Sequence, residues 1–234
     1  MNSHHTLDVT AHIVEKAKVL GASLAGITSI DSLKDSASYK IYGDAEWPHS
    51  EKTVLVFALV HEEAEPEFDW WDDIEGGSPG NRRLIQIAES LAEWIKEEFN
   101  INARTLPYHV EKGGIFLKDA AALAGLGIIG ANNLLVTPEF GPRIRLRAMF
   151  LDSDLAPTTG PLDFSPCNEC DMLCKKACPQ KAFVEGPYGR DTCQIQMDRD
   201  VADKVTFENE PQKDSPSICV KYCRACELAC PIGR

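Results

Sequence analysis

The chain has 234 residues, 44% hydrophobic and 26% charged, which suits a globular protein with one large and one small domain and excludes a wholly disordered or fibrous chain. Its 24 Lys and Arg against 36 Asp and Glu leave a net charge of −12, which argues against a nucleic-acid or anionic-membrane surface. No apolar run approaches the roughly 18 residues of a membrane span, and residues 1–7 lack the basic and apolar regions of a signal peptide, so a cytoplasmic location is expected.

In chain order, residues 8–20 carry Ile13, Val14, Ala17 and Leu20 at helical spacing, with Gly21 as a stop. Residues 24–28 and 53–60 (TVLVFALV) are short and apolar, and the second reads as a strand buried on both faces. Residues 62–75 carry eight carboxylates interrupted by Pro66, Trp70 and Trp71; such a run is normally a solvated loop, although an aromatic pair there can cover a ligand or a partner. Residues 82–99 read as a helix with Leu84, Ala88, Leu91, Ile95 and Phe99 on one side. An extended stretch at 103–110 precedes a helical segment at 116–126, which ends in a turn containing Gly125, Gly127 and Gly130.

Between 143 and 150, Ile144, Leu146, Ala148 and Phe150 alternate with Arg143, Arg145, Arg147 and Met149, the pattern of a half-buried strand whose arginines solvate the outer face. An arginine there could instead bind an anionic group bidentately. Pro157, Gly160, Pro161 and Pro166 then mark a connection, so the expected organisation is an α/β domain over 1–156 and a second domain over 157–234. His4, His5, His12, His49, His61 and His109 show no pairing typical of a mononuclear metal site.

All nine cysteines lie beyond Ser165. One group reads Cys167-x2-Cys170-x3-Cys174-x3-Cys178-Pro179 and another Cys223-x2-Cys226-x3-Cys230-Pro231. In two-cluster ferredoxins three closely spaced cysteines hold one iron-sulfur cube, and the fourth, before proline, crosses to the other. Crossover pairing gives one 4Fe-4S cluster Cys167, Cys170, Cys174 and Cys230, and the other Cys178, Cys223, Cys226 and one more thiolate. Cys193 and Cys219 both remain open for that last place. Paired C-x2-C knuckles also occur in zinc ribbons, but two Cys-Pro endings and x3 spacings are ferredoxin habits. The x3 interval between Cys170 and Cys174 is one residue longer than the common bacterial pattern.

From about Thr53 onward the sequence resembles the shared core of the epoxyqueuosine reductases and the reductive dehalogenases, cobalamin-dependent iron-sulfur enzymes. The likeness is carried by TVLVFALV, by KDAAALAGLGIIGANNLLVTPEFGPRIRLRAMFLDSDL (Lys118 to Leu155) and by the order of the cysteine motifs. AGLG followed by PEFGPR is its most specific part and lies closer to the dehalogenase side. The resemblance implies a nitroreductase-like α/β domain that holds cobalamin, followed by a two-cluster ferredoxin-like domain. The family's lone cysteine after the first Cys-Pro matches Cys193 in GRDTCQIQM, which favours Cys193 over Cys219 as the eighth ligand.

It also implies that Gly125, Gly127, Gly130, Asn132 and Asn133 lie near the corrin, where missing side chains let backbone approach a flat ligand; the alternative for these glycines is an ordinary helix cap and turn. The aspartate that epoxyqueuosine reductases use as proton donor has no counterpart in YHVEKGG, leaving Glu111 and Tyr108 as candidate proton donors, since dehalogenases use a tyrosine. Glu111 is also an ordinary surface carboxylate. Because the chain stops four residues after Cys230 and is acidic, a transfer-RNA substrate is not expected. The expected partners are an electron-donor protein and a small-molecule substrate. The rival reading is an electron-transfer protein without cobalamin that serves a partner through the acidic tryptophan loop, although a bare ferredoxin has no need of so long a preceding domain.

Overall fold

The structure is a computed structural model. It describes residues 3–43, 47, 50–184, 186, 188–207 and 217–234; His49 lies outside the described residues, as do the side chains of His4 and His5. The elements follow in the order α1 (Ser3–Val19), β1 (Leu24–Ser29), α2 (Ile30–Lys34), α3 (Ala37–Tyr42), β2 (Thr53–Val60), β3 (Trp71–Asp72), α4 (Pro79–Phe99), β4 (Ala103–Thr105), α5 (Leu117–Leu123), β5 (Ile128–Ile129), β6 (Leu135–Val136), β7 (Ile144–Leu151), α6 (Leu173–Lys176), α7 (Arg190–Ala202), β8 (Val205–Phe207), β9 (Ser217–Val220) and α8 (Ala225–Leu228). It is a mixed α/β fold in two compact units. The first comprises Met1–Val60, Leu84–Ile129 and Ile144–Phe164, and the second His61–Arg83, Gly130–Arg143 and Ser165–Arg234. The cut expected at 156/157 therefore compares with a border at Phe164 and Ser165, and two earlier segments also enter the second unit.

The first unit is organised by an antiparallel sheet in the order β1-β2-β7-β4. β2 is flanked on both edges and covered on both faces, which is why seven of its eight residues are buried and its sequence is continuously apolar. α1 turns Val9, Ile13 and Ala17 inward, and α4 does the same with Leu84, Ile87, Ala88, Leu91 and Ile95. Both follow the i, i+4 logic of a helix with one face on a core.

The arginine row departs from expectation. β7 lies between β2 and β4, and the face that carries its arginines is covered as well. Every residue of β7 except Arg145 is buried. The Arg147 guanidinium donates to the Leu106 carbonyl at 3.0 Å, and burial, offset by Glu89 and Tyr108, lowers its pKa. These arginines are tied to main-chain oxygen, not spread into solvent.

The second unit contains the antiparallel sheet β3-β9-β8 and the short helices α6, α7 and α8. Residues 62–75 are therefore more than a solvated loop. Trp71 pairs with Val220 and stands edge-on to Tyr222, Lys221 caps the Trp70 ring at 3.8 Å, and Arg82 holds both carboxylate oxygens of Asp72 at 2.8 Å. Neither tryptophan is exposed. Among the described residues no helix is long and apolar enough to cross a membrane.

Candidate iron-sulfur centre

Eight of the nine cysteines sit on α6, α7, α8 and the turns around them, and Cys219 lies in β9, all in the second unit. Cys174 lies in α6 and Cys226 in α8, two one-turn helices that pack against each other and are each followed by a Cys-Pro step. Met172 enters α6 in the left-handed conformation, at φ 54°, which turns the chain sharply between Cys170 and Cys174 and accommodates the additional residue of that interval. α7 carries Cys193 and has no buried residue among those described.

Electrostatic neighbours divide the thiols into two quartets. Burial pushes the Cys174 thiol up, and Cys230, Cys167 and Cys170 push it further. Cys230 is raised by burial and again by Cys167 and Cys170, against the pull of the Ile232 N–H and the Arg143 charge. Burial pushes Cys226 up to about 12, reinforced by Cys223, Cys178 and Cys193. Cys223 is raised by burial, then by Asp200, Cys193 and Cys178. The physical cause is common to both sets: several sulfurs crowd together away from water, so ionising one is opposed by its neighbours unless a cation gathers them.

Cys219 stands apart. It is buried in β9, opposite Asp72 on one side and Val205 on the other, and its pKa is raised by burial and by Asp72 rather than by another sulfur. Its place is the core of the small sheet.

Several groups steady the quartets. The Ala131 N–H donates to Cys167 Sγ at 3.4 Å and the Ala182 N–H to Cys178 Sγ at 3.4 Å. The buried Asn132 side chain donates to the Cys226 carbonyl at 3.4 Å while its oxygen accepts from the Leu134 N–H at 3.2 Å. The turn at 130–133 thus touches a cysteine of each quartet. Arg143, only 7% exposed, donates to the Cys230 carbonyl at 3.2 Å and to the Ile232 carbonyl at 2.6 Å. Arg224, between Cys223 and Cys226, donates to Asp69 Oδ2 at 2.6 Å, to the His61 carbonyl at 3.0 Å and to Glu227. His61 and Asp69 share a hydrogen bond through the ring Nδ1.

Close backbone packing holds the same region. Gly141, at φ 56°, lies against the Ile232 carbonyl, and Gly233 lies against Phe140 and Gly141, so neither position has room for a Cβ. Sequence reasoning did not find Asn132 or Arg224 as supports of the cysteines, nor the part Arg143 takes. The available signals were an arginine directly beside Cys223 and another in PEFGPR.

The donor set fits iron-sulfur clusters. Soft thiolates in two fours match the ligand demand of two cubes. Arg143 is buried and bonded to neutral carbonyls, so a cluster with its thiolates would supply the negative charge this guanidinium lacks among the described residues. Among those residues no three His, Cys, Asp or Glu converge as tightly as a single metal ion requires.

The residues named for a corrin fall on both sides of the border at Ile129 and Gly130. Gly125 and Gly127 belong to the first unit, and Gly130, Asn132 and Asn133 to the second. At Gly125 the space of a side chain is taken by the Thr159 carbonyl, and at Gly130 by Val136, Asn132 and, at 3.6 Å, Cys167 Sγ. Tyr108 is 46% exposed, edge-on to His109, and Glu111 is exposed and ion-paired with His109 at 3.4 Å.

No protein-family model matches the chain. It is similar to the tetrachloroethene reductive dehalogenase of Sulfurospirillum multivorans, 32% identical over 49% of this chain and 23% of that protein. It is similar also to the epoxyqueuosine reductase of Gloeobacter violaceus, 25% identical over 95% of this chain and 76% of that protein. Among solved structures, the epoxyqueuosine reductase of Streptococcus thermophilus superposes with a TM-score of 0.65 at 20% identity, covering 97% of this chain and 67% of that one. The chain thus spans less than a quarter of the dehalogenase and about three quarters of the Gloeobacter reductase. The resemblance read from the cysteine order and the AGLG and PEFGPR segments is to the same two kinds of reductase.

Proposed function

We propose that the chain is an iron-sulfur oxidoreductase that binds two 4Fe-4S clusters and passes electrons singly to a bound corrinoid or substrate. In this reading the first unit is the nitroreductase-like domain and the second contains the ferredoxin-like one. One cluster takes Cys167, Cys170, Cys174 and Cys230, and the other takes Cys178, Cys193, Cys223 and Cys226. The observation that carries the reading is the division of eight thiols, seven of them buried or half-buried and Cys223 exposed, into two fours, each including the proline-flanked member of the other sequence group.

The clusters supply one-electron storage and transfer. The chain's own residues position and insulate them. Ala131 and Ala182 direct main-chain N–H groups at sulfur, which lowers the cost of adding negative charge. Arg143 and Asn132 fix the carbonyls of Cys230 and Cys226 and so hold those two ligands in register. The similarity to cobalamin-dependent reductases makes cobalamin the natural corrinoid, a small molecule the substrate and an electron-donor protein the partner. Tyr108 and Glu111, in YHVEKGG, are the proposed proton donors.

Anaerobic purification followed by iron, sulfide, zinc and cobalt analysis tests the proposal. About eight irons per chain are expected. Cobalt binding after incubation with cobalamin supports the reductase; eight irons with no corrin uptake leaves an electron carrier. A colourless protein that holds zinc refutes the redox role.

A further inference from the structure

We infer that the cluster held by Cys167, Cys170, Cys174 and Cys230 is the more easily reduced of the two, and that Arg143 is the positioning residue that sets this order. The inference rests on the two-cluster reading and deepens it: it assigns the place where the electron comes to rest.

The two quartets have different electrical surroundings. Beside the first lies the Arg143 guanidinium, buried and bonded to the carbonyls of Cys230 and Ile232. No carboxylate pairs with it among the described residues, so its charge is not cancelled locally. The Ala131 N–H at Cys167 Sγ has its equal in the Ala182 N–H at Cys178 Sγ, so the two quartets differ in side-chain charge rather than in main-chain donors. The other charges of this stretch, Glu169, Asp171 and Lys176, are exposed and act through water; with Lys175 they balance in sign.

Around the second quartet the sign reverses. The Cys223 N–H is spent on Asp200 Oδ2 at 2.8 Å, so a carboxylate stands beside that ligand. Glu227, 4% exposed, follows Cys226 directly. Arg224 is close by, but it pairs with both Asp69 and Glu227, so its charge is already matched. Reduction adds one negative charge to a cluster. A buried cation at a few ångströms favours that step and a buried carboxylate opposes it, most strongly where water does not screen them.

The test is a potentiometric titration of the anaerobically purified full chain followed by electron paramagnetic resonance, with iron counted on every sample. Wild-type protein is expected to reduce in two separate steps. Arg143→Gln lowers the higher step, by about tenfold in the reduction equilibrium or ~59 mV for one electron, and leaves the lower in place. Arg143→Lys, which keeps the charge, restores most of that loss. Glu227→Gln acts on the other side and raises only the lower step, which keeps the order testable if Arg143→Gln assembles poorly. Coincident steps in the wild type, a shift of both steps together, or no shift in a protein holding its full iron overturns the inference alone. A wild-type chain that binds no iron overturns the two-cluster reading as well.

Discussion

Alanine at Gly141 has two separable costs. The residue has φ 56°, and a left-handed conformation costs a residue with a Cβ about 1 to 2 kcal/mol. The added Cβ also lies about 1 Å inside the 3.0 Å approach that real Cβ atoms keep, and the atom it meets is the Ile232 carbonyl oxygen, part of the main chain two residues after Cys230. Relieving such overpacking typically costs a further ~1 to 3 kcal/mol, giving about 2 to 5 kcal/mol in all. Ile232 accepts from the Arg143 fork that also grips the Cys230 carbonyl, so a shift there moves a proposed ligand. Gly113→Ala is the control, because Gly113 has φ 90° with nothing within 4 Å of the new carbon and incurs only the conformational cost. Chemical unfolding of the anaerobic protein measures the stability difference, and iron analysis the loss of about four of eight irons. Equal destabilisation by both variants, with iron retained in each, would refute the argument from contact.

Three other outcomes are expected. Cys193→Ser lowers bound iron by about four while Cys219→Ser leaves it near eight, measured after identical anaerobic reconstitution; the reverse pattern moves the eighth ligand to Cys219. Arg224→Ala leaves Asp69 and Glu227, both almost wholly buried, without their cation and destabilises the second unit by about 3 to 5 kcal/mol in denaturant unfolding. Phe57→Ala empties a fully buried position in β2 at a cost of about 3 to 5 kcal/mol, read as a fall in melting temperature, while the iron content of the surviving folded protein stays unchanged.

The elements that announced themselves in sequence are those whose periodicity reflects their own surroundings. TVLVFALV is continuously apolar because β2 has neighbours on every side, and residues 82–99 are striped because one face of α4 meets the core. The strand at 144–151 was legible, but its arginines misled: alternation distinguishes two faces, and cannot reveal that main-chain carbonyls such as that of Leu106 wait on the polar one. β3 was invisible in the same way. Trp71 and Asp72 extend only because Val220 and Cys219, almost 150 residues later, complete their hydrogen bonds.

At the candidate site the spacing of cysteines suggested the proposed ligand sets, because loop length limits which sulfurs can meet. Spacing left Cys193 and Cys219 level. What separates them in the structure is tertiary: one lies on α7 beside the second quartet, and the other is consumed by a sheet whose strands are each too short to recognise. The glycine turn was recognisable as a place where backbone comes close to something. That the something is Thr159 at Gly125 and Cys167 at Gly130 depends on packing partners no local pattern encodes.

The sharing of Cys223, Cys226 and Cys230 between the quartets bears on how the protein is made. A ribosome delivers this chain from its amino end, so neither set of four thiols exists until residues 223–230 have been synthesised. The first unit has all its strands by Leu151 and can fold beforehand, whereas the proposed clusters would wait for residues 223–230, which complete both sets of thiols together.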